Sequence, residues 1–483
     1  MSLKEKTIHG FKWSFIESFL TQFFNFVIGI ILARLLSPRD FGLIGMLSIF
    51  LTVAATLAGS GLNQALIRKK DCADDDYSTA FYVNLLIGFF CFLILFASAG
   101  AIAVFFREPQ LKSLLCVLAV LPVINSFGFV QSALLMKQLD FKTQAKISFI
   151  ANTVAGAAGI SMAFAGCGVW SLVAKSILQN LLGNSMLWLI NRWKPALRFS
   201  VRSFKEMFGF GSKLLASSLI DTIFNNAYYF VIGRFFSSVD LGYYSRAEQF
   251  TGLISQNTTG SVQRVSYPSL ATLQEDNHQL KSAYKKIVKS SMFVSCTIML
   301  CLAASAKPLV LTLLGAKWQG SIDLLRMLAI SGMLYPLHSL NLNILNIKGR
   351  SDLFLKLEII KKILTVPIIL IGVFHGLKLM VMCMVLFSFV AYFINSIPPG
   401  KIIGYSIREQ LMDLAPSFLF ASGLAGILWV LNACTCYSAP VLLTIQIGVA
   451  LCIGLISAEL MKLDEYVYLK TILKTMVRRQ AVS

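Results

Sequence analysis

Long apolar runs almost free of charge constrain this chain more than any other feature. Fourteen of them, each about 17–25 residues and so long enough to cross a bilayer as a helix, are centred near residues 24, 53, 91, 122, 156, 180, 225, 252, 296, 333, 367, 388, 426 and 448. The run near 367 is short and entered through Lys361 and Lys362, and the run near 156 is rich in glycine and alanine. Lipid offers no hydrogen bonds to an open backbone, so a chain of this pattern satisfies its amides within helices. Charged residues make up 14% of the chain, against about a quarter in an ordinary soluble domain. The expected fold class is an all-α integral membrane protein with about fourteen transmembrane helices. The first run is too long for a signal-peptide core and has no small-residue cleavage site, so it is expected to persist as a helix.

The formal charge of +20 raises the question of nucleic acid. Placement of the charge answers it. With the N-terminus in the cytoplasm, alternate loops and tails, from Lys4–Lys12 through Arg192–Lys213 to Lys462–Arg479, hold 32 of the 43 Lys and Arg, whereas the opposite side holds ten. That asymmetry is the positive-inside rule, and an even number of spans leaves both termini cytoplasmic. The surplus reads as topology and attraction to anionic headgroups, worth about 1 kcal/mol per residue near the surface. No nucleic-acid partner is expected.

Two stretches repeat at an offset of 200: RLLSPRDFG (34–42) and RFFSSVDLG (234–242) align without a gap, pairing Arg34 with Arg234, Ser37 with Ser237, Asp40 with Asp240 and Gly42 with Gly242. In each, Ser-x-x-Asp precedes an apolar run, the spacing at which a serine accepts from a freed backbone N–H and the acid sits at the positive helix end. Pro38 suits the first helical position, where no donor is missed. The arginine ahead of each cap can face the carbonyl end of the preceding helix while reaching toward headgroups. These charges end one membrane helix and start the next.

A helix hairpin repeated six spans later implies two halves of the same orientation, related by a pseudo-twofold axis along the membrane normal. The expected organisation is a six-helix bundle over 1–190, a cytoplasmic interfacial linker over 191–213, a second six-helix bundle over 214–398, two appended transmembrane helices over 399–458 and a cytoplasmic tail over 459–483. In the linker, Arg198, Arg202 and Lys205 alternate with Phe199, Phe204 and Phe208, a pattern for a helix lying in the interface. Pro122, Pro336 and Pro367 interrupt apolar runs and can kink helices. Gly59 and Gly61 permit close helix approach.

No loop exceeds about 25 residues, so no soluble catalytic domain is hidden between the spans. G-x-x-x-x-G-K-[ST] and H-E-x-x-H are both absent, which excludes an intrinsic ATPase and a metalloprotease of those types. The four histidines, His9, His278, His338 and His375, form no cluster with cysteine and read as hydrogen-bonded surface groups near helix ends; no metal site is expected. Most of the ten cysteines lie within apolar runs as small hydrophobes. Cys434 and Cys436, with one residue between them, would make a strained bridge, so no disulfide is expected there.

Several segments taken in order resemble the polysaccharide-transport branch of the multidrug/oligosaccharidyl-lipid/polysaccharide flippase superfamily. They are ILARLLSPRDFGLIGM, SGLNQALIRKK, GCGVWSLVAKSILQN, VIGRFFSSVDLGYYSRAEQF, VSYPSLATLQEDNHQLKSAYKK, KWQGSIDLLRMLAISG and LNILNIKGR, between residues 10 and about 360. The resemblance implies two six-helix bundles forming a V around a cavity that opens alternately to the two membrane faces. It implies a lipid-linked oligosaccharide flippase of the bacterial inner membrane, carrying polyprenyl-diphosphate-linked sugar units to the periplasmic leaflet for lipopolysaccharide or exopolysaccharide assembly, with polysaccharide polymerase and glycosyltransferases as neighbours. The arginine at the cytoplasmic end of the family's second helix matches Arg68, and the region preceding the family's proline, Pro268 here, matches Arg264 and Tyr267.

A lipid-linked sugar presents a diphosphate, many hydroxyls and a long tail, so its carrier needs a wet polar cavity within the spans. A charged side chain at a helix centre costs about 2.5–3.5 kcal/mol on insertion scales, so charges in the runs should face protein or water. Lys175 lies deep in the sixth run, with Gln179 at i+4 on the same face; the alternative for Lys175 is snorkelling to an interface. Arg246, Gln249, Gln256 and Asn257 share one stripe of the eighth run at i, i+3, i+10 and i+11, beside Glu248. Glu17 and Asp221 fall within about one turn of equivalence under the repeat. These acids read as an ion-coupling site for an H+ or Na+ gradient, as partners for cavity cations, or as packing groups. No cofactor is expected beyond such a gradient or the membrane potential.

Two other readings remain at this level. A cation-coupled drug exporter of the same superfamily would lean on a few acids in a more apolar pocket, whereas the candidates here are cationic and amide-rich. A membrane polysaccharide polymerase would need a convergent acid, base or nucleophile set, and none is visible.

Overall fold

The computed structural model describes residues 21–69, 71–435, 437–460, 465–466 and 470. Among them all regular structure is helical. The first seven helices are α1 (Thr21–Leu35), α2 (Pro38–Arg68), α3 (Asp74–Phe106), α4 (Gln110–Leu118), α5 (Leu121–Lys137), α6 (Phe141–Phe164) and α7 (Trp170–Ile190). After an extended segment come α8 (Val201–Asn225), α9 (Ala227–Phe235), α10 (Ser238–Ala271), α11 (Asn277–Ala304) and α12 (Ala306–Leu313). The chain continues with α13 (Ser321–Gly332), α14 (Tyr335–Ile347), α15 (Ser351–His375), α16 (Leu377–Ile403), α17 (Ile407–Cys434) and α18 (Ala439–Leu460). Each of the fourteen apolar centres falls inside a helix or at the break between two consecutive ones. Glu17, His9 and Cys436 lie outside the described residues, as does most of the expected tail.

Among the described residues, eight helical segments are long and apolar enough to cross a membrane by length and composition. The runs below that threshold include those with polar residues in their middle: Lys175 and Gln179 in α7, Asp221 in α8, and Arg246 to Asn257 in α10. Pro122 and Pro336 each follow a two-residue interruption whose backbone stays right-handed helical, at Ala119–Val120 and Met333–Leu334; each stands in the first turn of the resumed helix, α5 and α14, where the missing N–H costs nothing. The fourth and tenth runs therefore break alike, after Leu118 and after Gly332. Pro367 lies inside α15. The segment after the seventh run's first part breaks at Asn226, whose side chain donates to the Thr222 carbonyl at 2.8 Å.

The chain separates into two compact units, divided after Gly242. In the first, α2 runs against α8 at a point where both sides are glycine: a Cβ on Gly61 would stand 2.5 Å from the Gly211 carbonyl oxygen, and one on Gly211 would stand 2.7 Å from that of Gly61. Gly59, by contrast, has open space at its Cβ position. Leu62, Leu66, Phe81, Phe129, Val130 and Met207 form a buried cluster here, with Trp188 and Trp193 packed on it. α8 continues unbroken across residue 213, and the segment ahead of it is tied down by Ala196 N–H donating to Ser78 Oγ and Ser200 N–H to Thr79 Oγ1.

In the second unit, Phe293 of α11 packs on Phe420 of α17 with ring centroids 5.2 Å apart. Tyr284 donates to Asn341 at 2.8 Å, and Asn341 to Ser396 at 3.0 Å. His338 is not the surface group that its position in the sequence suggests. It sits in this interior network, 3.3 Å from both Ser388 Oγ and the Asn395 amide nitrogen, because the fresh start at Pro336 sets it one turn inside α14.

The repeated motif takes the same form twice. Asp40 N–H donates to Ser37 Oγ at 3.3 Å, while Ser37 N–H and Oγ donate to Asp40 Oδ2 at 2.8 and 2.6 Å. Asp240 N–H donates to Ser237 Oγ at 3.0 Å, and Ser237 returns bonds of 3.3 and 2.7 Å to Asp240 Oδ2. The two capped starts cross each other reciprocally. A Cβ on Gly42 would lie 1.6 Å from the Ser238 carbonyl oxygen, and one on Gly242 would lie 1.9 Å from that of Pro38.

Replacing either glycine should therefore force backbone apart. Gly42→Ala and Gly242→Ala are each expected to destabilise the protein by about 1–3 kcal/mol or more, the range for overpacked sites. Gly59→Ala should be neutral or slightly stabilising, since alanine is the better helix former. Thermal unfolding of the three variants in detergent checks this, and equal midpoints would refute the crossing.

Candidate functional site

Among the described residues, four places bear on the candidates read from the sequence or on the repeated caps. The first surrounds the crossing of α2 and α10. Glu108, just past the C-terminus of α3, accepts from Arg39 Nη2 at 2.7 Å and from Ser238 Oγ at 2.7 Å. One carboxylate thus touches the first turns of both capped helices, where the positive helix ends favour an anion. It is directed there by Arg107, which leaves α3 in the left-handed conformation at φ 59°. Beneath it, Phe105 stacks on Phe230 at 5.3 Å, and Phe50 and Phe106 pack edge-on against Phe230. The Arg234 guanidinium lies 4.7 Å over the Phe105 ring, a cation–π contact. Arg34, its counterpart, is exposed.

The second is a cavity of ≈ 420 Å³ within the first unit, among α1, α5, α6 and α7. Gln144, Ser148 and Ala151 line it from α6, and Gln179, Asn180, Gly183, Asn184 and Leu187 from α7. The spacings of three, four and seven place each set on one helix face. Ser132 joins from α5 because the chain turns back at Leu139 and Asp140, whose carboxylate caps α6 by accepting from Thr143 N–H at 3.0 Å. The Asn184 amide donates to the Ile124 carbonyl at 2.9 Å, the Trp188 indole to Phe127 at 2.9 Å, and the Asn191 amide to Gln131 at 2.9 Å. Three rungs along α7 thereby fix it against α5. No described residue lining the cavity carries a formal charge.

Of the candidates read from the sequence, Gln179 lines this cavity. Lys175, one turn earlier on α7, is half-buried with its stem against Gly159 of α6. Ser132, Gln144, Ser148, Asn180 and Asn184 escaped the sequence reading. Their signal was present as amides at helical spacing within apolar runs, but uncharged residues draw little notice beside a lysine.

The third place is α10 in the second unit. Arg246, Glu248 and Gln249 are half-buried, whereas Gln256, Asn257 and Arg264 are exposed, as is Tyr267. Asn257 donates back to the Leu253 carbonyl at 2.7 Å, and Gln263 bonds Ser339 of α14. Nearby in sequence to the short eleventh run, Lys361 pairs with Glu358 at 2.5 Å on α15.

The fourth lies at the far ends of α2 and α3. Lys69 bridges Asp76 at 2.9 Å and Glu206 at 3.2 Å. Its ammonium is held above the usual lysine range mainly by the hydrogen bond to Asp76, against desolvation and with help from Glu206. Arg68 lies 4.4 Å over the Phe210 ring. Asp221, by contrast, is on the exposed side of α8; the adjacent Thr222 hydroxyl meets that of Thr56 at 3.0 Å. Among the described residues no group of histidine, cysteine and carboxylates could hold a metal ion.

Glu108 was not visible as a site from sequence, being 69 residues from Arg39 and 130 from Ser238. With Arg39 half-exposed and Glu108 largely covered, a double-mutant cycle of Arg39→Ala and Glu108→Ala should give a coupling of about 0.5–1 kcal/mol. Additive effects on thermal unfolding would show that the pair contributes nothing.

Residues 31–323 match the family described as polysaccharide biosynthesis protein. The chain is 28% identical over 355 residues to the teichuronic acid biosynthesis protein TuaB of Bacillus subtilis (strain 168), covering 73% of each. It is 26% identical over 428 residues to the lipopolysaccharide biosynthesis protein WzxC of Escherichia coli (strain K12), covering 86% of this chain and 85% of the relative. Among solved structures, that of lipid II flippase MurJ in an inward closed conformation is similar with a TM-score of 0.75 over 93% of this chain and 99% of that one, at 13% identity. That last likeness establishes the fold.

Proposed function

Because this chain belongs to the polysaccharide biosynthesis protein family, we propose that it is a flippase that moves polyprenyl-diphosphate-linked oligosaccharide from the cytoplasmic to the periplasmic leaflet by alternating access, for assembly of a cell-surface polysaccharide. The observation that carries this reading is the family match across residues 31–323, which contain both copies of the capped repeat and the polar stretches of α7 and α10. The protein acts as a carrier and not as an enzyme. It lies in the bacterial cytoplasmic membrane with both termini in the cytoplasm, the side marked by the excess of Lys and Arg. Glycosyltransferases supply its cargo and a polysaccharide polymerase consumes it.

The physical task is to bring a charged, hydroxyl-rich headgroup across hydrocarbon. An ion or an unpaired amide at the bilayer centre is costly unless protein or water receives it. Lys175 and Arg246 serve as cations for the diphosphate, with Gln249, Gln256 and Asn257 as amides for the glycan. Arg68, Arg264 and Tyr267 are further cargo contacts in this reading. Asp221 and Glu248 are the acids in the described runs through which an H+ or Na+ gradient or the membrane potential drives the cycle.

Purified protein in vesicles should redistribute lipid-linked oligosaccharide between leaflets; an unchanged distribution beside an active flippase control would defeat the proposal. Arg246→Ala should lower that rate about tenfold, equivalent to about 1.4 kcal/mol, with protein level and thermal midpoint unaltered. Wild-type transport by well-folded Arg246→Ala would take Arg246 out of the cargo path.

A further inference from the structure

We infer that the cavity among α1, α5, α6 and α7 is a subsite for an uncharged sugar of the cargo. This rests on the flippase reading and adds to it the place and the chemistry of glycan recognition.

The lining decides the ligand class. Thr21, Ser132, Gln144, Ser148, Gln179 and Asn180 present hydroxyls and amides, with no acid and no base among the described lining residues. Among these described residues a diphosphate would leave its charge unmatched and an organic cation would find no carboxylate. A polyol is matched group for group, because each amide supplies two donors and an acceptor and each hydroxyl supplies one donor and two acceptor positions. Ile147, Ala151 and Leu187 complete the wall with apolar surface for the C–H face of a pyranose. The volume, ≈ 420 Å³, falls within the range of small-molecule pockets.

The polar groups are also pre-positioned. Asn180 Nδ2 donates to the Ser176 carbonyl at 2.8 Å, and Gln144 Nε2 to that of Ser132 at 3.5 Å. One N–H anchors each side chain while the second N–H and the amide oxygen remain for a ligand. Thr21 closes the cavity from α1. Lys175 stands four residues before Gln179 on α7, about 6 Å along the helix. A sugar in the cavity would leave its diphosphate near that lysine.

The test measures binding of two lipids to the purified full-length protein by native mass spectrometry: lipid-linked oligosaccharide extracted from the source bacterium, and sugarless undecaprenyl diphosphate. Wild type should hold the glycosylated lipid more tightly. Gln179→Leu should weaken the glycosylated lipid about tenfold, the size of one lost hydrogen bond, and leave the sugarless lipid within about twofold. Ser148→Ala, a smaller change on the facing helix, should weaken the glycosylated lipid about threefold with the same selectivity and serves if Gln179→Leu fails to fold. Parallel weakening of both lipids, or of neither, would overturn the subsite. Selective weakening together with no leaflet exchange by wild type in vesicles would uphold the subsite and sink the flippase reading instead.

Discussion

Two helix starts packed backbone to backbone set the conditions for the first unit. Gly42 faces the Ser238 carbonyl and Gly242 faces that of Pro38 at distances that admit no side chain. Such an approach brings the positive ends of two helices together, which repel unless anions intervene. Three do: Asp40 and Asp240 within their own capping boxes, and Glu108 between the pair. The requirement for glycine and the requirement for acid are thus one requirement. It explains why a chain with 14% charged residues concentrates charge at this point, and the aromatic cluster around Phe230 fills the space that the crossing leaves beneath it.

Away from that crossing, several polar groups in the apolar runs are held by a backbone or side-chain partner. Asn184, Trp188 and Asn191 bond carbonyls of α5, and His338 bonds Ser388 and Asn395. Where the lining is polar and space remains, as among α5, α6 and α7, the same chemistry becomes available to a ligand. A membrane protein that carries a sugar and one that merely packs its helices use the same amides; the difference is a volume of a few hundred cubic ångströms.

The repeat at an offset of 200, the two capping boxes and the helical character of all fourteen runs were legible in the sequence, because each depends on residues within four positions of one another or on composition over one run. Gln179 was found through its lysine neighbour. Its companions Gln144 and Ser148 were not, since their meeting with α7 depends on the turn at Asp140 and on the face that α6 presents. His338 differs from a surface group for a related reason: the helix resumes at Pro336 and carries the histidine to Ser388 and Asn395.

By itself, the sequence determined that this chain is a helical membrane protein with a duplicated hairpin and a family identity, because hydropathy, capping and charge asymmetry are local properties that lipid and water read directly. Tertiary structure alone decided that Glu108 joins the two repeated helix starts, that Gly61 meets Gly211, and that a cavity lined by amides and hydroxyls opens beside Gln179. Those facts depend on which helix faces meet, and the contacts that select them lie tens to hundreds of residues apart along the chain.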